Sequence, residues 1–194
     1  MIVVDVETTG VDPSQNSLVS IGALDFDNPN DQFYQECHIW KGAKVSDESF
    51  PINGFKESDI VDPTKSSDED IVKSFLEWAS SKKDKTLAGE NPSFDRDFIR
   101  LTASRYHLNW PMAYRTLDLH SICYSHIVKA GKTPPVKNGH SGLNLESILE
   151  YCGIPGYSLP HNALTDVKLE AECFSRLLYG KKLLKEYMSH EIPW

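Results

Sequence analysis

The spacing of apolar positions changes along the chain and divides it into strands first and helices later. Met-Ile-Val-Val-Asp5-Val-Glu7-Thr8-Thr9-Gly10 opens with a nearly unbroken β-branched run. That composition predicts a strand buried on both faces, ending in a turn. Ser17 to Phe26 and Gln32 to Trp40 alternate between apolar and polar residues. They predict two further strands joined across Asp27-Asn-Pro-Asn-Asp31, and so an antiparallel meander. Residues 41–65 read as loop, with a short helical turn near Lys56 to Val61.

From Ser67 the period lengthens. Ser67-Asp-Glu-Asp70 supplies an N-cap and an acidic first turn, and Ile71, Phe75 and Ala79 form one helical stripe. Thr86-Leu-Ala-Gly89 is a short strand, and Ser93 to about Leu108 a helix. Tyr114 to Leu119 predicts another short strand, running into a helix through Ile122, Ile127 and Val128. Gly131 to Gly142 is a loop. Leu143 to Cys152 is a helix capped by Asn144 and stopped by Gly153. Ile154 to Pro160 is a loop, Asn162 to Tyr179 a long helix, and Lys181 to Met188 a last amphipathic segment. The order predicts an α/β fold, a mixed sheet with helices on its faces. No repeat or second-domain boundary interrupts residues 1–194, which read as one domain: a core to about residue 180, then a C-terminal helix and tail over 181–194.

Composition narrows the function. The chain has 194 residues, 40% of them hydrophobic, enough for one full core. No stretch approaches the ~20 apolar residues of a membrane span, and the first apolar run breaks at Asp5, unlike a signal peptide. Cys37, Cys123, Cys152 and Cys173 are widely spaced and read as reduced core residues, which suits the cytoplasm. A net charge of -8 argues against a broad electrostatic grip on duplex nucleic acid. It leaves room for a small metal-dependent phosphodiester site, because bound cations reverse the local sign. The one locally basic stretch, with Lys132, Lys137 and His140, reads as a solvated loop that could also touch a strand backbone.

Asp5 and Glu7, two apart on a strand, point to the same side. Burying two like charges together costs several kcal/mol unless a cation sits between them. A divalent metal with oxygen ligands answers that cost, and a solvated pair of acids is the plain alternative. Two distant stretches repeat the mixture. Asn91-Pro92-Ser93-Phe94-Asp95 places Asp95 in the first turn of a helix, where taken alone it is an ordinary dipole-favouring acid. His161 precedes a helix that Asn162 caps, and Asp166 lies one turn in, too deep for a capping role. Taken alone, His161 is a hydrogen-bonding surface histidine.

Together these stretches resemble the three motifs of the DEDDh family of 3′–5′ exonucleases, the DnaQ-like group within the ribonuclease H-like superfamily. Asp-x-Glu-Thr-Thr-Gly stands as Asp5 to Gly10, Asn-x-x-Phe-Asp as Asn91 to Asp95, and His-x-Ala-Leu-x-Asp as His161 to Asp166. Pro51 to Phe55, Thr116 to Leu119 and Leu143 to Ile154 match intervening segments, so the resemblance spans nearly the whole chain. It departs at Glu90 and Asn53, where the family often has His; neither is a catalytic position.

The resemblance implies a mixed five-stranded sheet, three antiparallel strands and then parallel ones, with helices on both faces. It implies two Mg²⁺ or Mn²⁺ ions held by Asp5, Glu7, Asp95 and Asp166, with Asp5 shared between them, and His161 as general base. Oxygen-only ligation suits such hard cations. It implies hydrolysis from the 3′ end of single-stranded nucleic acid, DNA favoured, releasing nucleoside 5′-monophosphates. Thr8 and Thr9 match positions that hold the terminal 3′-hydroxyl. Phe55 matches a segment bordering the terminal nucleotide, and Asn91 is grouped with them. An RNA-directed enzyme of oligoribonuclease or ribonuclease T type is the alternative, and an inactive binding module on the same fold a second. A polymerase partner and a homodimer are further expectations of the resemblance; the sequence leaves sugar preference and oligomeric state open.

Overall fold

The computed structural model describes residues 1–156 and 159–194; Tyr157 and Ser158, in the expected loop from Ile154 to Pro160, lie outside the described residues. The chain opens with β1 (Ile2–Thr8), β2 (Leu18–Asp25) and β3 (Gln32–His38). Two single-turn helices follow, α1 (Phe50–Asn53) and α2 (Glu57–Ile60). Next come β4 (Ser66–Ser67), α3 (Asp68–Ser80), β5 (Leu87–Gly89), α4 (Pro92–Arg105), β6 (Leu117–Asp118) and α5 (Leu119–Lys129). The small hairpin β7 (Val136–Lys137) and β8 (His140–Ser141) precedes α6 (Leu145–Cys152) and α7 (Ala163–Tyr179).

The main sheet has six strands in the order β4-β3-β2-β1-β5-β6. β1, β2 and β3 pair antiparallel, while β5 runs parallel to β1 and β6 parallel to β5. The expected five strands become six because β4 adds two residues parallel to the end of β3. A two-residue strand carries no hydrophobic period. Ser67 also caps α3 as expected, accepting the Asp70 N–H at 3.1 Å. The expected loop over 131–142 contains the β7–β8 hairpin, turning at Asn138 and Gly139, both with positive φ.

β1 separates two cores. Its even positions, Ile2, Val4 and Val6, face Ile71, Phe75 and Phe98 of α3 and α4. Met1 and Val3 face Leu119, Ile148, Val167 and Phe174 of α5, α6 and α7. Asp5 and Glu7 continue that odd-numbered row toward α7. β2 makes the approach of α7 close. Gly22 pairs with Asp5 across the ladder, and a Cβ there would lie 2.4 Å from the backbone of Ala163. Only a glycine admits the first turn of α7 at that distance.

The four cysteines are free and buried, and Cys123, Cys152 and Cys173 meet in the same core. No helix among the described residues is long and apolar enough to cross a membrane.

The C-terminal segment departs from expectation. In place of a helix over 181–188, a single 3₁₀ turn, Lys185–Tyr187, interrupts an extended tail. Two side chains of α7 hold the segment in place through its backbone. The Glu172 carboxylate accepts the N–H groups of Leu183 and Leu184 at 2.8 and 2.9 Å. The Arg176 guanidinium donates to the carbonyls of Cys152, Tyr187 and Glu191. The two charges pair at 2.8 Å with both side chains fully enclosed. Removing one partner strands the other in a low-dielectric interior. Arg176→Met is expected to lose about 3–5 kcal/mol of unfolding free energy in urea; a loss near zero would contradict the clamp.

Candidate active site

Three elements deliver the acids. Asp5 and Glu7 extend from β1, whose register against β2 shifts between Glu7 and Thr8, where the strand gives way to the turn. α4 begins at Pro92 after Asn91, whose left-handed backbone turns the chain sharply out of β5. Asp95 in its first turn reaches across to β1, and its Oδ1 accepts the Val6 N–H at 3.0 Å. β5 has ended by that point, so the carboxylate satisfies a donor that a neighbouring strand otherwise would. Asp166 lies one turn into α7, which Asn162 caps by accepting the Thr165 N–H at 3.2 Å.

Asp5, Glu7 and Asp166 each place a carboxylate oxygen within 4.8 Å of the others, the one group among the described residues able to hold a metal ion. They line a cavity of about 500 Å³. Asp95 sits one layer back, 3% exposed and off the cavity wall. His161 stands at the rim with its side chain 37% exposed, and its Nδ1 lies 3.1 Å from Asp166 Oδ2. Its loop is tied to α1 through a hydrogen bond from the His161 N–H to the Ile52 carbonyl, 2.8 Å. α1 also reaches β1, where Asn53 Nδ2 donates to the Thr8 carbonyl at 3.0 Å. Four of the five expected catalytic residues therefore line one cavity, and Asp95 stands behind it, bonded to the Val6 N–H.

The expected substrate residues separate. Thr8 lines the cavity. Thr9 is 1% exposed, and its hydroxyl is engaged with the Lys44 carbonyl and the Ser17 N–H. Phe55 lies in an adjoining cleft with Tyr34 and Pro160, its ring 5.0 Å from Lys65 Nζ. Asn91 lines neither space. Phe94, Ile52 and Leu145 form an apolar wall that sequence reasoning passed over. It also passed over Glu170, a further buried carboxylate on the cavity. The available signal was its position four residues after Asp166, on the same helix face.

The donor set fits a divalent cation. It is all oxygen and anionic, and its members repel one another. Burial pushes Glu7 up to about 7, with the charge of Asp166 adding to it. Burial pushes Asp95 up to about 8, against the lowering effect of the Val6 N–H. Asp5 and Glu170 stand well above the usual carboxylate range, through burial first and the charge of Asp95 next.

In the unfolded chain such carboxyls titrate near about 4. Between there and about 8 the native state binds more protons than the unfolded one, so metal-free stability falls as pH rises through that window. With chelator present, unfolding free energy should be lower at about pH 8.5 than at about pH 5.5. Asp95→Asn, which keeps an acceptor for the Val6 N–H, should narrow that difference, and Mg²⁺ should restore wild-type stability at the higher pH. Equal pH dependence in the two proteins would contradict this electrostatic picture.

Comparison with known proteins agrees with the geometry. The family model described as an exonuclease, of the RNase T type, matches residues 2–174. A DNA polymerase III of PolC type from Thermotoga maritima is 27% identical over 180 residues, which cover 91% of this chain and 12% of that protein. The 3′-5′ DNA exonuclease Cap18 of Escherichia coli is 29% identical over 195 residues, covering 93% of this chain and 94% of Cap18. The chain thus spans a small part of the polymerase and nearly the full length of Cap18. Exonuclease I in its apo form has a TM-score of 0.74 at 16% identity, covering 93% of this chain and 42% of the other. E. coli Exonuclease I in complex with a dA16 oligonucleotide also has a TM-score of 0.74, at 16% identity and over 93% of this chain and 40% of that one. These neighbours share the ribonuclease H-like arrangement of a mixed sheet between helices. The match across both cores and all three acid-bearing elements shows that the chain belongs to the exonuclease family.

Proposed function

We propose that this chain hydrolyses phosphodiester bonds from the 3′ end of single-stranded nucleic acid and releases nucleoside 5′-monophosphates. The observation that carries the reading is the convergence of Asp5, Glu7 and Asp166 within 4.8 Å on a cavity rimmed by a histidine. Asp5, Glu7, Asp95 and Asp166 would hold two Mg²⁺ or Mn²⁺ ions, which when bound neutralise phosphate charge and acidify the attacking water.

The chain's own groups do the rest. Asp166 holds His161 Nδ1 at 3.1 Å and so fixes the tautomer with the proton on that nitrogen. His161 then presents Nε2 to take the proton of the attacking water. Its place on a half-exposed loop lets it turn onto a bound strand end. The wall of Phe94, Ile52 and Leu145 offers apolar packing to the terminal base and narrows the cavity to one strand. Thr8 lines the cavity beside the acids, which supports a role in holding the 3′-hydroxyl.

Likeness to Cap18 along almost its entire length supports DNA as the substrate. The PolC-type relative carries its matching segment within a polymerase, which makes a polymerase the partner class proposed here.

A 5′-labelled single DNA strand with Mn²⁺ should give a ladder shortening from the 3′ end. Asp5→Asn should abolish the ladder, and His161→Gln should lower kcat roughly 10²- to 10⁴-fold. An RNA strand of the same sequence should be degraded more slowly. Cleavage surviving Asp5→Asn would refute the mechanism, and faster RNA degradation would reverse the substrate assignment.

A further inference from the structure

Glu170 presents a buried carboxyl without an evident counterpart. It is 2% exposed, and its Oε1 accepts the Glu90 N–H at 3.1 Å. Its Oε2 has no hydrogen-bond partner, one of two such buried side-chain atoms among the described residues. No ion pair reaches it among those residues. A carboxylate oxygen left unsatisfied at that depth is costly.

Its position sets the residue beside the other acids. α7 turns once every ~3.6 residues, so Glu170 stands one turn beyond Asp166 on the same face. It lines the same cavity as Asp5. Gly89 makes room for it, since a Cβ there would lie 3.3 Å from Glu170 Oε2. The acids divide into two neighbourhoods. Asp5, Glu7 and Asp166 form the tight trio. Among the neighbouring acids, Asp95 raises the Glu170 carboxyl most, and both raise Asp5. A cation on that second side meets Asp5 and a set-back Asp95 whose Oδ1 already holds the Val6 N–H. A further oxygen ligand would complete its shell, and Glu170 Oε2 is the buried carboxyl oxygen with no hydrogen-bond partner.

We propose that Glu170 is a fifth carboxylate of the metal centre, its Oε2 serving the cation on the Asp5–Asp95 side, directly or through one water. This rests on the metal-dependent reading above. It makes the second ion part of the resting protein rather than one recruited only with substrate.

The test is calorimetric titration of Mn²⁺ into the chelator-treated full chain without nucleic acid. Wild type should bind two ions. Glu170→Gln keeps a carbonyl for the Glu90 N–H and should keep one ion at wild-type affinity, while the second weakens roughly 10- to 100-fold. Glu170→Asp keeps the charge but withdraws the oxygen by one methylene, and should weaken the second ion as well. Circular dichroism verifies folding, and Glu170→Asp carries the test if the glutamine variant does not fold. Wild-type titrations in both variants would overturn the proposal alone, leaving Glu170 a structural acceptor. Absence of binding to wild type would overturn the metal-dependent reading itself.

Discussion

The structure turns on mutual repulsion among carboxylates that the fold forces together. Asp5 faces α7 because β1 alternates, and α7 lies close because Gly22, opposite Asp5, has no side chain. The energy that holds α7 there is apolar. Val167, Phe174 and Leu177 are buried in the core beneath it, at about 1.5–3 kcal/mol each. This burial opposes the like-charge crowding that would push the helix away. In the proposed function, a divalent cation would offset that crowding.

The surrounding contacts serve the same end. The buried Glu172–Arg176 pair fixes the far end of α7 to the C-terminal tail, away from the cavity. At the near end, α1 ties the Thr8 carbonyl and the His161 N–H through Asn53 and Ile52. A network from Lys65 through Glu36 and Tyr34 reaches Asn162, the cap of α7. The histidine thus sits on a loop anchored at both sides, with its ring at the cavity rim.

The elements that position the site were legible in sequence where a hydrophobic period was long enough to read. β1 showed as a β-branched run, and α3 and α7 as helical stripes. α1, β4 and each strand of the β7–β8 hairpin span two to four residues and have no period to show. The hairpin's Asn138-Gly139 pair is a turn signal, but without flanking apolar residues it does not announce strands. Lys181 to Met188 carries a helical pattern, but the chain there is a single 3₁₀ turn held to α7 by Glu172 and Arg176, contacts that no local pattern announces. Asp5 and Glu7 followed from strand alternation. Asp95, His161 and Asp166 followed from motif likeness, since nothing local brings them to β1. Glu170 was hidden in a helix already rich in acids, where only the contact with β5 and Asp95 separates it from a solvated glutamate. The alternation that places Thr8 and Thr9 fails at the register shift after Glu7, which only the folded pair of strands displays.

The central claim is that these converging acids are a cage for divalent cations at the end of a nucleic-acid strand. Crystals grown with Mn²⁺ and a nucleoside 5′-monophosphate, measured at the manganese absorption edge, test it most directly. Two anomalous peaks bounded by Asp5, Glu7, Asp95 and Asp166, with the phosphate between them and His161 at its side, are the expected result. A nucleotide-bound map with no anomalous peak among those carboxylates would contradict the account.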